Sequence, residues 1–190
     1  MRNKRLLRII RLAALTALQI VLSRFLSVPV SGTLKFSFGF VPVVLAGALE
    51  GVPGACLVAL VSDVLGALLF PQGDFFIGYT VTAVLSGALY GLFFEHRRNR
   101  RKLWATALVF AVNAVLVTIA LNTLCIAFQY GYLLTETRDL ANVPVKFWAL
   151  LPKRAIEAGI MLPVQTVLTH MLLNVMKLDL KLKDIHEKQS

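Results

Sequence analysis

Apolar residues in this chain run together in long blocks separated by short polar punctuation, instead of alternating with polar ones. Six blocks can be read, at 12–28, 37–49, 52–70, 76–94, 103–129 and 147–176. About 20 apolar residues in a helix match the roughly 30 Å hydrocarbon layer of a bilayer. The pattern therefore predicts an all-α membrane protein, a six transmembrane helix bundle forming one domain over residues 1–190. The second block, at about 13 residues, is short for a crossing, while the fifth and sixth are long enough to tilt or project past the bilayer. The first block lacks a small-residue cleavage site and leads straight into further spans, so it reads as a retained helix and not a cleaved signal.

Composition agrees with a membrane location. Hydrophobic residues make up 57% of the chain, against about 45–50% in soluble domains. Charge then predicts orientation. Arg2, Lys4, Arg5, Arg8 and Arg11 precede the first block, Arg97, Arg98, Arg100, Arg101 and Lys102 separate the fourth from the fifth, and Lys177, Lys181, Lys183 and Lys188 follow the sixth. Six crossings put all three clusters on one side, which the positive-inside tendency makes the cytoplasm. Both termini are then cytoplasmic, with tails at 1–11 and 177–190. The net charge of +10 is explained by membrane flanks, and no aromatic stacking platform lies beside these residues, so no nucleic acid partner is expected. Membrane lipid is. The other basic residues, Arg24, Lys35, Arg138, Lys146, Lys153 and Arg154, fall toward the outer side, against the same tendency. An outward basic group of this kind calls for an anionic guest or an acidic neighbour.

Several chemistries leave no mark. The chain has no G-x-x-x-x-G-K-[ST] phosphate loop, the device that would let it hydrolyse ATP itself. Cys56 and Cys125 lie far apart in apolar blocks and read as small core residues. No spacing of His, Cys and carboxylates suggests a metal site or an activated nucleophile, so no catalytic residue, metal or cofactor is expected and the chain is not read as an enzyme.

Polar residues inside the blocks carry the chemistry that remains. Asp63 interrupts LVSDVLGALLF, and an ionised group there costs at least about 2.5–3.5 kcal/mol on insertion scales, so it faces a partner, a cavity or a ligand. Thr16, Gln19, Ser23 and Ser27 share one helical face, as do Thr118, Asn122, Cys125 and Gln129. Such stripes are either interhelical glue or the lining of a pocket. Small-residue pairs, Ala13 with Ala17, Gly47 with Gly51 and Gly87 with Gly91, allow close helix approach, either within the bundle or against another membrane protein. The outward segments 28–38 and 70–80 read as loops. The second carries Phe75, Phe76 and Tyr79, either as an interfacial aromatic belt or as a lid that stacks on a flat ring.

Residues 36–94, FSFGFVPVVLAGALEGVPGACLVALVSDVLGALLFPQGDFFIGYTVTAVLSGALYGLFF, resemble the vitamin-binding S components of energy-coupling factor (ECF) transporters, most closely the folate-specific members. The shared features are G-F-x-P opening the second block, G-x-P-G after it, the D-x-L-G core at Asp63, F-P-x-G, and L-x-G-x-x-Y-G in the fourth. LNTLCIAFQYGYLL and ALLPKRAIEAGIMLPVQTVL extend the resemblance over nearly the whole chain. Glu50 and the AIEA stretch at 155–158 are more acidic than that pattern.

The resemblance implies a six-helix subunit of a prokaryotic plasma membrane that binds folate tightly from outside and toppling in the membrane to release it. Its partners would be a transmembrane coupling subunit, packed on Ala13 and Ala17, and two ATPase subunits. Folate has a hydrogen-bonding pterin edge, an aromatic linker and two tail carboxylates. On that chemistry the candidate binding residues are Arg24, Lys35, Phe38, Asp63, Gln72, Phe76, Tyr79, Asn122, Gln129 and Arg154. Arg or Lys suits the tail, a carboxylate the pterin edge, and Phe38, Phe75, Phe76 or Tyr79 the rings. Asp63 either contacts the pterin or pairs with Arg24 or Arg154, whereas Glu157 is expected to pair with Lys153 one turn earlier. The alternatives are an S component for another vitamin such as pantothenate, a stand-alone proton-coupled carrier and, least supported, a membrane enzyme.

Overall fold

The structure, a computed structural model, describes residues 4–31, 34–71, 75–95, 103–134 and 140–189, with side chains for 5–27, 36–71, 75–95, 103–134 and 140–175. Gln72, the basic run within 96–102 and Arg138 lie outside the described residues, as does the side chain of Lys35. The elements in order are α1 (Lys4–Arg24), a hairpin of β1 (Val28–Ser31) and β2 (Leu34–Phe36), α2 (Phe40–Leu69), α3 (Ile77–Phe94), α4 (Leu103–Asn113), α5 (Thr123–Phe128) and α6 (Asn142–Gln189). Wider π-helical turns at Ala114–Asn122 and Gln129–Leu133 continue α4 and α5 into one rod. Helices dominate because a bilayer offers no water to the backbone, so each segment must pair its own N–H and C=O groups.

Five helices are long and apolar enough to cross a membrane, Arg5–Arg24, Phe40–Leu69, Ile77–Phe94, Leu103–Leu133 and Asn142–Val175. The second and third apolar blocks both lie in α2, which is broken at Gly51 (φ 73°, ψ −164°). Only glycine adopts that conformation readily. The chain doubles back there: a β-carbon on Gly54 would lie 3.5 Å from the carbonyl oxygen of Ala46, eight residues earlier, whereas a straight helix would separate them by about 12 Å. Gly51 is thus a turn and not half of a packing pair.

The predicted close packing is found at Gly47, Gly87 and Gly91. Gly91 faces Val52, Gly47 faces Gly91, and Gly87 faces the Ala55 carbonyl, which brings α3 against both halves of α2. Glu95 accepts the Val52 N–H (3.4 Å) beside the turn. Glu50, unusual for the resembling family, is held by Arg8 Nε (3.0 Å) and Arg11 Nη1 (3.4 Å) from the foot of α1. The other end of α1 meets the other ends of both α2 halves, with Gln19 and Ser23 against Gly39 and Arg24 against Gly66.

Three further expectations change. The segment 28–38, read as a loop, contains an antiparallel hairpin pairing Val28 with Phe36 and Pro29 with Lys35, and β2 lies against α6. Tyr79 and Thr80, placed in the 70–80 loop, belong to the first turn of α3. Helix also runs through most of both presumed tails, starting at Lys4 and ending at Gln189. Charged residues there extend an existing helix at little cost once its apolar part is formed.

The apolar core joins Val43, Val44, Ala55, Val58 and Leu173 to an aromatic group of Tyr90, Phe94 and Phe110. Phe94 and Phe110 are fully buried, and Phe110 sits 5.3 Å from Tyr90 and 5.7 Å from Phe40 between ring centroids. Asn113 donates to the Tyr90 hydroxyl at 2.9 Å within this layer. Buried polar side chains toward the Arg24 end include Ser62, Thr80, Gln129, Arg154 and Glu157. In α1 Thr16 is the single buried side chain among those described, and Ala13 and Ala17 are exposed, so its small-residue face is open. An Ala17→Leu substitution on this open face should leave the fold intact; an unchanged unfolding temperature checks it, and a lowered one would make that face internal.

Candidate functional site

Helix ends converge on one face of the bundle. Asp63, in the half of α2 that follows Gly51, accepts a hydrogen bond from Thr80 Oγ1 in the first turn of α3 (2.7 Å). One turn nearer the end of α2, Gly66 leaves room for the Arg24 side chain, whose Nε would lie 3.0 Å from a β-carbon there. Among the described residues the ion pairs are those of Glu50 and Glu157, so Asp63 enters none. A half-buried carboxylate with one oxygen engaged retains capacity to accept further hydrogen bonds.

A second group forms where α3, α5 and α6 meet. The Tyr79 hydroxyl donates to Gln129 Oε1, and Gln129 is 97% buried at the start of a π-helical turn (3% exposed). Such turns widen the helix and recur at functional sites. Phe76 sits edge-on to Tyr79 (5.8 Å) and near Phe128 (6.2 Å), which stacks on Tyr132 (5.2 Å). Gly78 keeps α3 close to α5, since a β-carbon there would come within 2.8 Å of Cys125 Sγ. Arg154 of α6 lies within electrostatic reach of Tyr79, and its Nη1 donates to Glu157 Oε2 at 2.9 Å.

Three buried polar atoms in this half lack partners: Gln19 Oε1, Asn122 Oδ1 and Arg154 Nε. Leaving a buried polar atom unpaired costs about 1–3 kcal/mol, which a bound guest with matching groups recovers. The remaining stripe residues behave differently. Thr16 bonds the Leu12 carbonyl (2.8 Å) and Ser23 the Ile20 carbonyl (3.3 Å) of their own helix, so they need nothing from outside.

The fold thus brings Arg24 and Asp63 to one side and Phe76, Tyr79, Gln129 and Arg154 to the other, with Thr80 adjoining Tyr79. Asn122 lies two turns before Gln129, and Phe38 is 37% exposed just before α2. Lys153 is exposed and does not pair with Glu157; Arg154 does, because it faces inward with Glu157 at i+3. That also removes Arg154 as the partner of Asp63. Sequence reasoning missed Thr80 and Phe128 as neighbours of the site. A periodic stripe marks one helix face, but contact across helices has no periodic signal.

The chain resembles known proteins over most of its length. The chain is 32% identical over 164 residues, 86% of its length and 82% of the relative's, to the folate transporter FolT of Leuconostoc mesenteroides. It is 34% identical over 122 residues, 64% of its length and 69% of the relative's, to the folate transporter FolT of Clostridium novyi. A crystal structure of FolT bound with folic acid superposes with a TM-score of 0.73 at 32% identity, covering 87% of this chain and 90% of that one. Residues 7–173 match the family model for the substrate-specific component of ECF transporters, and to that family this chain belongs.

Proposed function

We propose that this chain binds folate from outside a prokaryotic cell and delivers it inward as the S component of an ATP-driven ECF transporter. The observation that carries the reading is the likeness, in sequence and fold over most of both chains, to the folic acid-bound FolT structure. The polar half of the bundle supports it, offering a guanidinium, a carboxylate, an aromatic group and unpaired amide oxygens to a guest with an acidic tail and a flat ring. Asp63 accepts from the pterin edge, Arg24 holds a tail carboxylate, and Phe76 and Tyr79 flank the rings, with Phe38 at the rim. Asn122 and Gln129 complete the hydrogen bonding, and Lys35 and Gln72 remain candidates from the sequence.

In this reading α2 contributes two of six membrane segments, divided at Gly51, and both termini are cytoplasmic. Energy comes from partner ATPases through a coupling subunit seated on the open Ala13 and Ala17 face of α1. The test is a titration of reduced folate into the detergent-purified chain, with saturable binding expected at or below micromolar ligand and no sustained uptake by the chain alone in liposomes. No heat or fluorescence change at micromolar folate would overturn the assignment.

A further inference from the structure

Asn122 and Gln129 are carried by a rod whose backbone changes pitch twice. Wide π-helical turns at Ala114–Asn122 and Gln129–Leu133 enclose the six residues of α5, so one amide closes the first wide stretch and the other opens the second. Such turns hold an extra residue, because an N–H reaches the carbonyl five residues back instead of four. An ordinary α turn in place of the first would rotate α5 by about 100°, one residue's worth. Asn122, Cys125 and Gln129 share a helical face, and Cys125 lies against Gly78 of α3. The rotation would carry that face away from α3 and break the bond that Gln129 accepts from the Tyr79 hydroxyl.

The two ends of the wide geometry are closed differently. At the second, the Leu134 N–H reaches the Gln129 carbonyl, five residues back (3.0 Å), and the backbone suffices. At the first, the Thr123 N–H is directed to the Ala120 carbonyl, three residues back. In a continued π-helix its acceptor would be Thr118. The Thr123 hydroxyl takes that place, donating to the Thr118 carbonyl at 3.2 Å. Thr123 is 0% exposed, so water is not at hand to replace the hydroxyl.

We infer that Thr123 is a positioning residue for the binding site: its hydroxyl closes the wide turn where the backbone N–H does not, and so fixes the rotation of α5 that directs Asn122 and Gln129 toward α3. This rests on the folate reading above. Thr123 acts through the two amides and touches no ligand itself.

The experiment compares Thr123→Val, which keeps the side-chain shape and removes the hydroxyl, with Thr123→Ser, which keeps the hydroxyl. By titration of folate into the purified full chain, Thr123→Val is expected to weaken binding roughly tenfold and Thr123→Ser by about twofold or less. The loss should shrink to about threefold or less when Tyr79→Phe has already removed the donor to Gln129, because residues acting in one network are not additive. Equal affinity of Thr123→Val and the unaltered chain, equal loss in the valine and serine variants, or a loss undiminished by Tyr79→Phe would each overturn the inference. If Thr123→Val does not fold, Thr123→Ala against Thr123→Ser gives the same contrast. Failure of the unaltered chain to bind folate would instead strike the reading beneath; amide hydrogen exchange without ligand then tests the turn alone, with faster exchange across 119–129 expected in Thr123→Val than in Thr123→Ser, and equal exchange overturning it.

Discussion

Arg24→Ala is expected to weaken folate binding by about 1.5–3 kcal/mol, the range for a hydrogen bond to a charged group, or roughly tenfold to a hundredfold and somewhat more. Arg24 ends α1 and lies over Gly66, so its charge lies one helical turn beyond Asp63 along α2. Calorimetric titration of the variant against the unaltered chain measures the loss. Arg24→Lys should recover part of it, since lysine restores the charge but not the planar fork that engages both carboxylate oxygens. Equal affinity in a normally folded Arg24→Ala protein would assign this residue to helix packing and leave the tail to another cation.

Gly91→Ala should damage the fold and spare the site. A β-carbon there would lie 2.5 Å from Val52 Cα and 3.0 Å from Val52 N. Both obstacles are backbone, in the residue that follows the Gly51 turn, so no side-chain rotation relieves the overlap and α3 must move away from α2. Overpacking of this kind costs about 1–3 kcal/mol, occasionally more, which exceeds the roughly 0.5–1 kcal/mol that alanine gains over glycine in a helix. A lower unfolding temperature without ligand and a lower folded yield are expected, with unchanged folate affinity in the folded fraction, because Gly91 lies at the opposite end from Arg24. Gly159 provides the comparison. Nothing lies within 4 Å of a β-carbon at that position, so Gly159→Ala should be neutral or slightly stabilising. Equal damage from both substitutions would mean that the Gly91 contact is not what limits stability.

How legible the site was depended on the kind of signal each residue carried. Asp63 stood out because a carboxylate in an apolar block is costly wherever the block folds. Gln129 stood out through its helical stripe. Arg24 was visible as a basic residue outside the three basic clusters. Thr80 gave no such sign, since its importance lies in a hydrogen bond to a residue 17 positions earlier on another helix. The pairing of Glu157 was misjudged because Lys153 and Arg154 are both within reach along the helix; which of them turns inward depends on how α6 is rotated against α4 and α5.

Composition and block length alone determined that the chain is a helical membrane protein, because burying unpaired backbone in lipid is prohibitive and long apolar blocks have no other soluble or membrane solution of comparable stability. Tertiary structure alone decided that α2 folds in two at Gly51, that Glu50 anchors the foot of α1, and that Glu157 claims Arg154. Those outcomes turn on distances between segments far apart in the chain, and these are set by close approach at glycines and by charge pairing across helices, for which periodicity along one helix carries no information.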